Sequence, residues 1–134
     1  MTAQVFELLQ ASSLTGTVSG QGLGQAVEVG SQVDVFVDIT AGSGTITRFD
    51  AYVQASLDNV NWYDQPCDLT QKTDTTGAGV AAGTNKRNIV DNKTSNTVEK
   101  NLGRIKHFPA PYMRFGYVIN ATGSLTVGAK ASTK

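Results

Sequence analysis

This sequence is short of nearly everything that carries chemistry. One cysteine (Cys67), one histidine (His107) and one tryptophan (Trp62) occur in 134 residues. A lone cysteine excludes a disulfide framework and a cysteine-based metal cluster. Cys67 reads as a small hydrophobe in or beside a strand. His107, in R-I-K-H-F-P, has no second histidine at metal-ligand spacing, and any serine or cysteine nucleophile would have to use this one imidazole as its base. Neither G-x-S-x-G nor a cysteine-nucleophile signature occurs. No run approaches the ~18 apolar residues of a membrane helix. Residues 1–20 lack the basic and apolar regions of a secretory signal. The expectation is a protein made in a cytoplasm, with no catalytic residue, no metal, no cofactor and no membrane partner.

The remaining motifs are weak. D-V-F-V-D places Asp34 and Asp38 on one strand face, a poor cation site that reads more simply as a solvated surface. G-Q-G-L-G, from Gly20 to Gly24, lacks the G-K-[ST] of a phosphate loop. The sequons at Asn92 and Asn120 carry no meaning without a secretory signal.

Net charge is zero, so no general attraction to nucleic acid is expected. The distribution is uneven. Residues 1–85 hold nine acids and two bases, and residues 86–134 hold nine bases and two acids. Either strands from the two halves neighbour one another in a single fold, or copies of the chain meet head to tail. Residues 86–106 are basic, but no aromatics are interleaved to stack on bases.

What the sequence has in abundance is alternation. Val33, Val35, Val37 and Ile39 share one face of a strand. Phe49, Ala51, Val53, Ala55 and Leu57 form a second inward set, with Tyr52, Gln54 and Ser56 facing out. Met113, Phe115, Tyr117 and Ile119 form a third, and S-L-T-V-G-A-K supplies a last strand. A-G-S-G (Ala41 to Gly44) and N-A-T-G (Asn120 to Gly123) read as hairpin loops. Ala26 to Gly30 reads as a short strand, and T-G-T-V-S-G-Q-G-L-G as a loop. About seven or eight strands with almost no helix predict an all-β fold: an antiparallel β-sandwich, jelly-roll-like, forming a single domain over residues 1–134. Residues 70–97 are polar and weakly patterned, and read as one long loop or arm. Lys86, Arg87, Ile89 and Val90 within it are the candidate contacts to a neighbouring subunit or a larger surface. Residues 1–10 are a second candidate for reaching a neighbour.

S-L-D-N-V-N-W-Y-D, from Ser56 to Asp64, places two aromatics beside acids and amides. It reads first as a hairpin that turns at Asp58 to Asn61, with Trp62 buried on a backbone acceptor and Tyr63 at the surface. The alternative is a sugar site built from Asp58, Asn61, Trp62 and Tyr63.

V-Q-A-S-L-D-N-V-N-W-Y, from Val53 to Tyr63, resembles the V-x-x-S-x-D-G-x-N-W hairpin of discoidin-like sandwich domains, with Asn59 where glycine is common. The order of segments is also similar to that of small tailed-bacteriophage virion proteins, notably capsid decoration (cement) proteins. It runs from S-L-T-G-T-V-S-G-Q-G-L-G through V-D-V-F-V-D-I-T and the Asp58 hairpin to Y-M-R-F-G-Y-V-I-N-A-T-G. That resemblance implies a non-enzymatic structural protein on the capsid surface of a virion, bound to the major capsid protein and to copies of itself as a homotrimer. It implies no nucleic-acid partner and no small-molecule ligand. A carbohydrate-binding module of a fibre or adhesion device is the alternative. Residues 70–97 depart from the pattern.

Overall fold

The computed structural model describes residues 4–74 and 79–134. Ten strands follow in chain order: β1 (Gln4–Gln21), β2 (Gln25–Ala26), β3 (Val33–Ser43), β4 (Ile46–Ser56), β5 (Tyr63–Gln65), β6 (Cys67–Asp74), β7 (Gly79–Lys86), β8 (Asn88–Val90), β9 (Glu99–Ile105) and β10 (Tyr112–Thr133). Their pairings are antiparallel. Among the described residues there is no helix. The expected all-β antiparallel class is what the chain adopts.

The frame is a three-stranded ribbon bent over on itself, with β10 in the middle. On one side β1 follows β10 from Gln4 opposite Thr133 to Gln21 opposite Gly116. On the other side β3 pairs with Ser124 to Thr133, and β4 pairs with Tyr112 to Ala121. β3 and β4 therefore lie end to end, and β10 runs straight through Asn120 to Gly123. This corrects the two hairpins expected at A-G-S-G and N-A-T-G. Both stretches form the corner where the ribbon passes from one layer to the other, and the register of β10 slips there against β1 and β4. Strands that change layers do so at such bends and bulges. Gly44 takes φ 68° at the corner, and a Cβ on it would stand 2.7 Å from Gly123 Cα. A side chain on either residue would block the crossing of the two backbones. Glycine-rich composition is thus compatible with a turn or with a corner, and pairing along β10 decides between them.

From the ribbon, one layer continues through β3 to β9, β6 and β7, while the other carries β5 and β8 on the far edge of β4. One core joins them. Val33, Val35, Val37 and Ile39 of β3, Phe49, Ala51 and Val53 of β4, and Met113, Phe115, Ile119, Leu125 and Val127 of β10 are all buried in it. The period-two alternation that marked these strands is what sends those side chains to one face. Each large apolar side chain so buried contributes about 1.5–3 kcal/mol. Gly103 of β9 shows how closely the layers approach: a Cβ there would lie 2.7 Å from Ile89 Cγ1 and 2.9 Å from Cys67 Sγ.

Four local expectations need correction. T-G-T-V-S-G-Q is strand, because β10 presents a second edge whose N–H and C=O groups need partners, and β1 supplies them despite its glycines. The short strand stops at Ala26, since Val27 already donates to the Pro111 carbonyl in a connecting segment. Tyr52 and Ser56 are buried, so β4 is covered on both faces, whereas Leu57 is 74% exposed. Residues 70–97 are not one long loop. They hold most of β6, all of β7 and β8, and then an irregular stretch to β9, while 75–78 lie outside the described residues.

The uneven charge resolves inside the fold. Basic β9 sits between acidic β3 and β6. Arg104 binds Asp34 through two hydrogen bonds, of 2.8 and 3.1 Å, and that carboxylate raises the guanidinium pKa further. The Lys106 amide donates to Asp68 at 2.6 Å, and Arg87 pairs with Asp64 at 2.8 Å. Strands of the two halves are neighbours, so intersubunit attraction is not needed to explain the asymmetry.

Candidate functional site

Two regions concentrate polar chemistry. The first is the tip formed by the turn after β4. Ser56 Oγ accepts from the Asn59 amide at 2.9 Å, and Asp58 Oδ1 accepts from the Val60 and Asn61 amides at 2.9 and 2.8 Å. Asn61 Nδ2 donates to Asp58 Oδ2 at 2.8 Å, and Ser56 Oγ is hydrogen-bonded to Oδ1 at 3.1 Å. Asn59 occupies the left-handed region at φ 61°, as a residue able to replace glycine can. The backbone amides of Asn61 and Val60, followed by the two side-chain donors, hold the Asp58 carboxyl far below the usual carboxylate range. The loop is rigid by its own hydrogen bonds.

Trp62 is not the core residue expected of it. It is half-buried and lies outside the core cluster, with the Arg114 guanidinium 4.5 Å from its ring centroid. Gly24 lies against the ring edge, where a Cβ would meet Trp62 at 3.1 Å and Asn59 more closely still. Arg114 is itself held by Gln54 at 2.8 Å. Cation–π packing at the rim, with the charge still in water, takes the place of burial. Tyr63 is exposed, as the alternation requires. Leu57 and Val60 of the same loop are each 74% exposed. The tip therefore pairs a hydrogen-bonded polar frame with exposed apolar side chains, one of which, Leu57, was expected in the core. That residue continues the inward alternation one step past the end of β4, where the turn has already begun.

The second region spans residues 86–101. Of the four contact candidates, Ile89 and Val90 are 6% and 3% exposed and belong to the core. They are the anchor that holds β8 against β4 and so cannot reach a neighbour. Arg87 stacks at 3.8 Å on Tyr52 and pairs with Asp64, which leaves Lys86 as the exposed member of the four. Below β8 the inward face of β9 turns polar. Glu99 is bound at 2.9 Å by Lys93 Nζ, with both side chains almost fully buried. Lys93 also donates to Thr97 and Ser95, at 3.1 and 3.3 Å. Asn101, 3% exposed, donates through Nδ2 to Glu99 at 3.3 Å, and its buried Oδ1 has no hydrogen-bond partner among the described residues. A cleft of about 440 Å³ opens over these groups, walled by Thr70 and Lys72 of β6 and by the 88–95 segment.

Among the described residues no three His, Cys, Asp or Glu side chains come together as metal ligands. Cys67 is fully buried, and burial, with the charge of Asp68 adding to it, pushes its thiol up to about 12. It is a structural side chain at neutral pH, not a nucleophile.

No family model matches the chain, and no curated protein matches it. Solved structures do. The VP2 protein of infectious bursal disease virus, a D431N mutant from derived T=1 particles, overlays 98% of this chain at a TM-score of 0.53 and 13% identity. The VP2 subviral particle of the same virus overlays 98% at 0.50 and 7%. The chain spans about a third of VP2, 31% and 32% of those two chains. The SPBc2 prophage-derived protein YomS overlays more loosely, at a TM-score of 0.42 and 19% identity, covering 98% of this chain and 92% of that one. At such identities the likeness is one of fold: a β-sandwich of the kind found in viral capsid proteins.

Proposed function

We propose that this protein is a non-enzymatic virion structural component, a decoration protein that docks on the outside of a bacteriophage capsid and there contacts the major capsid protein and its own copies, as a homotrimer. The observation that carries the reading is the apolar tip. Leu57, Val60 and Tyr63 stand exposed on a loop stiffened by Asp58. Exposed large side chains grouped on a rigid support suit an interface core, with charged residues such as Asp64 and Arg87 at its rim. A fold shared with about a third of VP2, a protein of derived T=1 particles, supports the same class of role. Stable docking of this kind buries about 800 Å² per partner, which the tip supplies in part and neighbouring loops complete.

The test is sedimentation with DNA-free capsids of the parent phage. Wild-type chain is expected to co-sediment at saturable occupancy, and a Leu57→Ser/Val60→Asp double variant to lose it while its circular dichroism spectrum stays unchanged. Equal occupancy of the double variant removes the tip from the proposal. Native mass checks the trimer: three times the 14.1 kDa chain in solution or on the particle is expected.

A further inference from the structure

From the outward face of β3 and β9 we infer a self-association surface, on which two copies of this chain meet face to face about a twofold axis parallel to the strands. The contact is separate from the docking tip and adds to the proposed trimer.

Odd-numbered residues of both strands enter the core, so the even-numbered ones point away from it. The register sets these in rows. Asp34 lies opposite Arg104, Phe36 opposite Leu102, and Asp38 opposite Lys100. Sandwich strands alternate apolar inward residues with polar outward ones, and Phe36 and Leu102 break that rule side by side. Phe36 is 42% exposed and Leu102 is half-buried. The charged rows on either side differ. Arg104 and Asp34 close an ion pair at 2.8 Å. Asp38 and Lys100 are exposed and close none among the described residues, although they face each other across the same two strands.

These rows make the face complementary to itself. Rotation about an axis along the strands, midway between β3 and β9, sets β3 of one copy over β9 of the other at the same height. Asp38 then faces Lys100 of the second copy, Phe36 faces its Leu102, and Asp34 its Arg104, each contact occurring twice. One strand further out, Lys130, opposite Phe36, meets Gln71, opposite Leu102, so no like charges coincide. Rotation about an axis across the strands lays Asp34 over Asp38 and Arg104 over Lys100, and like charges reject it. Both arrangements keep the strands of the two sheets aligned, so charge chooses between them. Size sets the strength. Five strands at ~4.8 Å spacing, over the ~24 Å length of β9, give a face of roughly 600 Å². That falls short of the ~800 Å² per partner of a stable complex, so the contact is weak in dilute solution and forms where copies are crowded.

The experiment is sedimentation equilibrium of the full chain without capsids. The wild-type mass is expected to double between about 10 µM and about 1 mM, from one chain to two or, where the trimer is already formed, from three to six. Asp38→Lys and Lys100→Asp are each expected to lose the doubling, because like charges then face each other across the axis. An equimolar mixture of those two variants is expected to regain it at least about tenfold more tightly than either alone, since each then presents the charge the other lacks. Phe36→Ser is expected to lose it with an unchanged circular dichroism spectrum. A control mixture of Glu28→Lys with Lys86→Asp carries the same net charges at exposed positions away from this face, and is expected to stay apart. The inference is overturned if the wild-type mass stays constant over that range, or if the face variants pair no better mixed than alone. It is equally overturned if Phe36→Ser doubles as wild type does, or if the control mixture associates as tightly as the face mixture. Because no capsid is present and the tip is untouched, failure here leaves the docking proposal standing, and failure of docking leaves this one standing.

Discussion

The tip at 56–63 and the cleft at 86–101 are built from similar residues: Asp, Asn, Ser, Thr and a basic side chain or two. They end up as opposites. At the tip Asp58 and Asn61 are exposed and hydrogen-bonded to one another and to the turn's backbone, and the apolar side chains beside them face water. Beneath the cleft a lysine, a glutamate and an asparagine are buried, and one oxygen has no partner among the described residues. The stretch expected to turn at Asp58 to Asn61 is a self-contained turn. The stretch that looked like a loose arm carries part of the core. What separates them is span. The tip closes its bonds within six residues, while the cleft needs β6, β8 and β9 to meet across the fold.

The comparison breaks most severely if the arm is removed. Deleting residues 74–94 takes away β7, β8 and the buried Ile89, Val90 and Lys93. The remaining chain is expected to show no cooperative unfolding transition in urea, the opposite of what a dispensable loop would give. A smaller strike at the same region is Lys93→Met. It strands the Glu99 carboxylate in a site 6% exposed, and removing one partner of a buried pair costs about 3–5 kcal/mol. The double variant Lys93→Met/Glu99→Leu is expected to recover most of that, since an apolar pair of similar volume is about as stable. Urea midpoints of the three proteins decide it, and equal midpoints for wild type and Lys93→Met would show that the pair is solvated.

Cys67 sharpens the contrast without changing stability. Its thiol lies between the layers, next to the position a Gly103 Cβ would take, and is held near 12. Labelling by a thiol reagent at pH 8 is expected to run at least about a thousandfold slower in the native protein than in denaturant, because it waits on opening of the fold. Fast labelling would mean that the cleft side of the sandwich opens locally.

Much of this was legible from pattern. Val33 to Ile39 and Phe49 to Val53 announced buried strands, because period-two alternation is a local property of one segment. The corner was not legible. Gly44 and Gly123 carry the same local signal in a hairpin and in a crossing, and only the pairing of β10 with β3 and β4 in succession tells them apart. The cleft was hidden for a related reason. Glu99 and Asn101 do alternate with Gly103 and Ile105 on the inner face of β9, yet polar residues at inward positions read as loop until a partner such as Lys93 is placed against them. Trp62 failed for a third reason: aromatic bulk suggests burial, but the turn ends one residue too late to aim it inward, and Arg114 covers it instead.

The smallest expected effect lies at the tip and depends on pH. Asp58 ionises far below its ordinary value of 3.8, because the amides of Asn61 and Val60 and then their neighbours stabilise the charged form. A depressed folded-state pKa contributes stability that is fully present above the unfolded value and is lost as pH falls through the folded one. Asp58→Ala should therefore melt slightly below wild type across neutral and mildly acidic pH, with the gap narrowing only below about pH 3.8. The carboxylate is exposed, so the gap should be the least of the effects named here. Thermal melts at pH 7, 5 and 3 would read it. A gap that already closes between pH 7 and 5 would place the titrating group elsewhere and leave the tip's rigidity to its backbone alone.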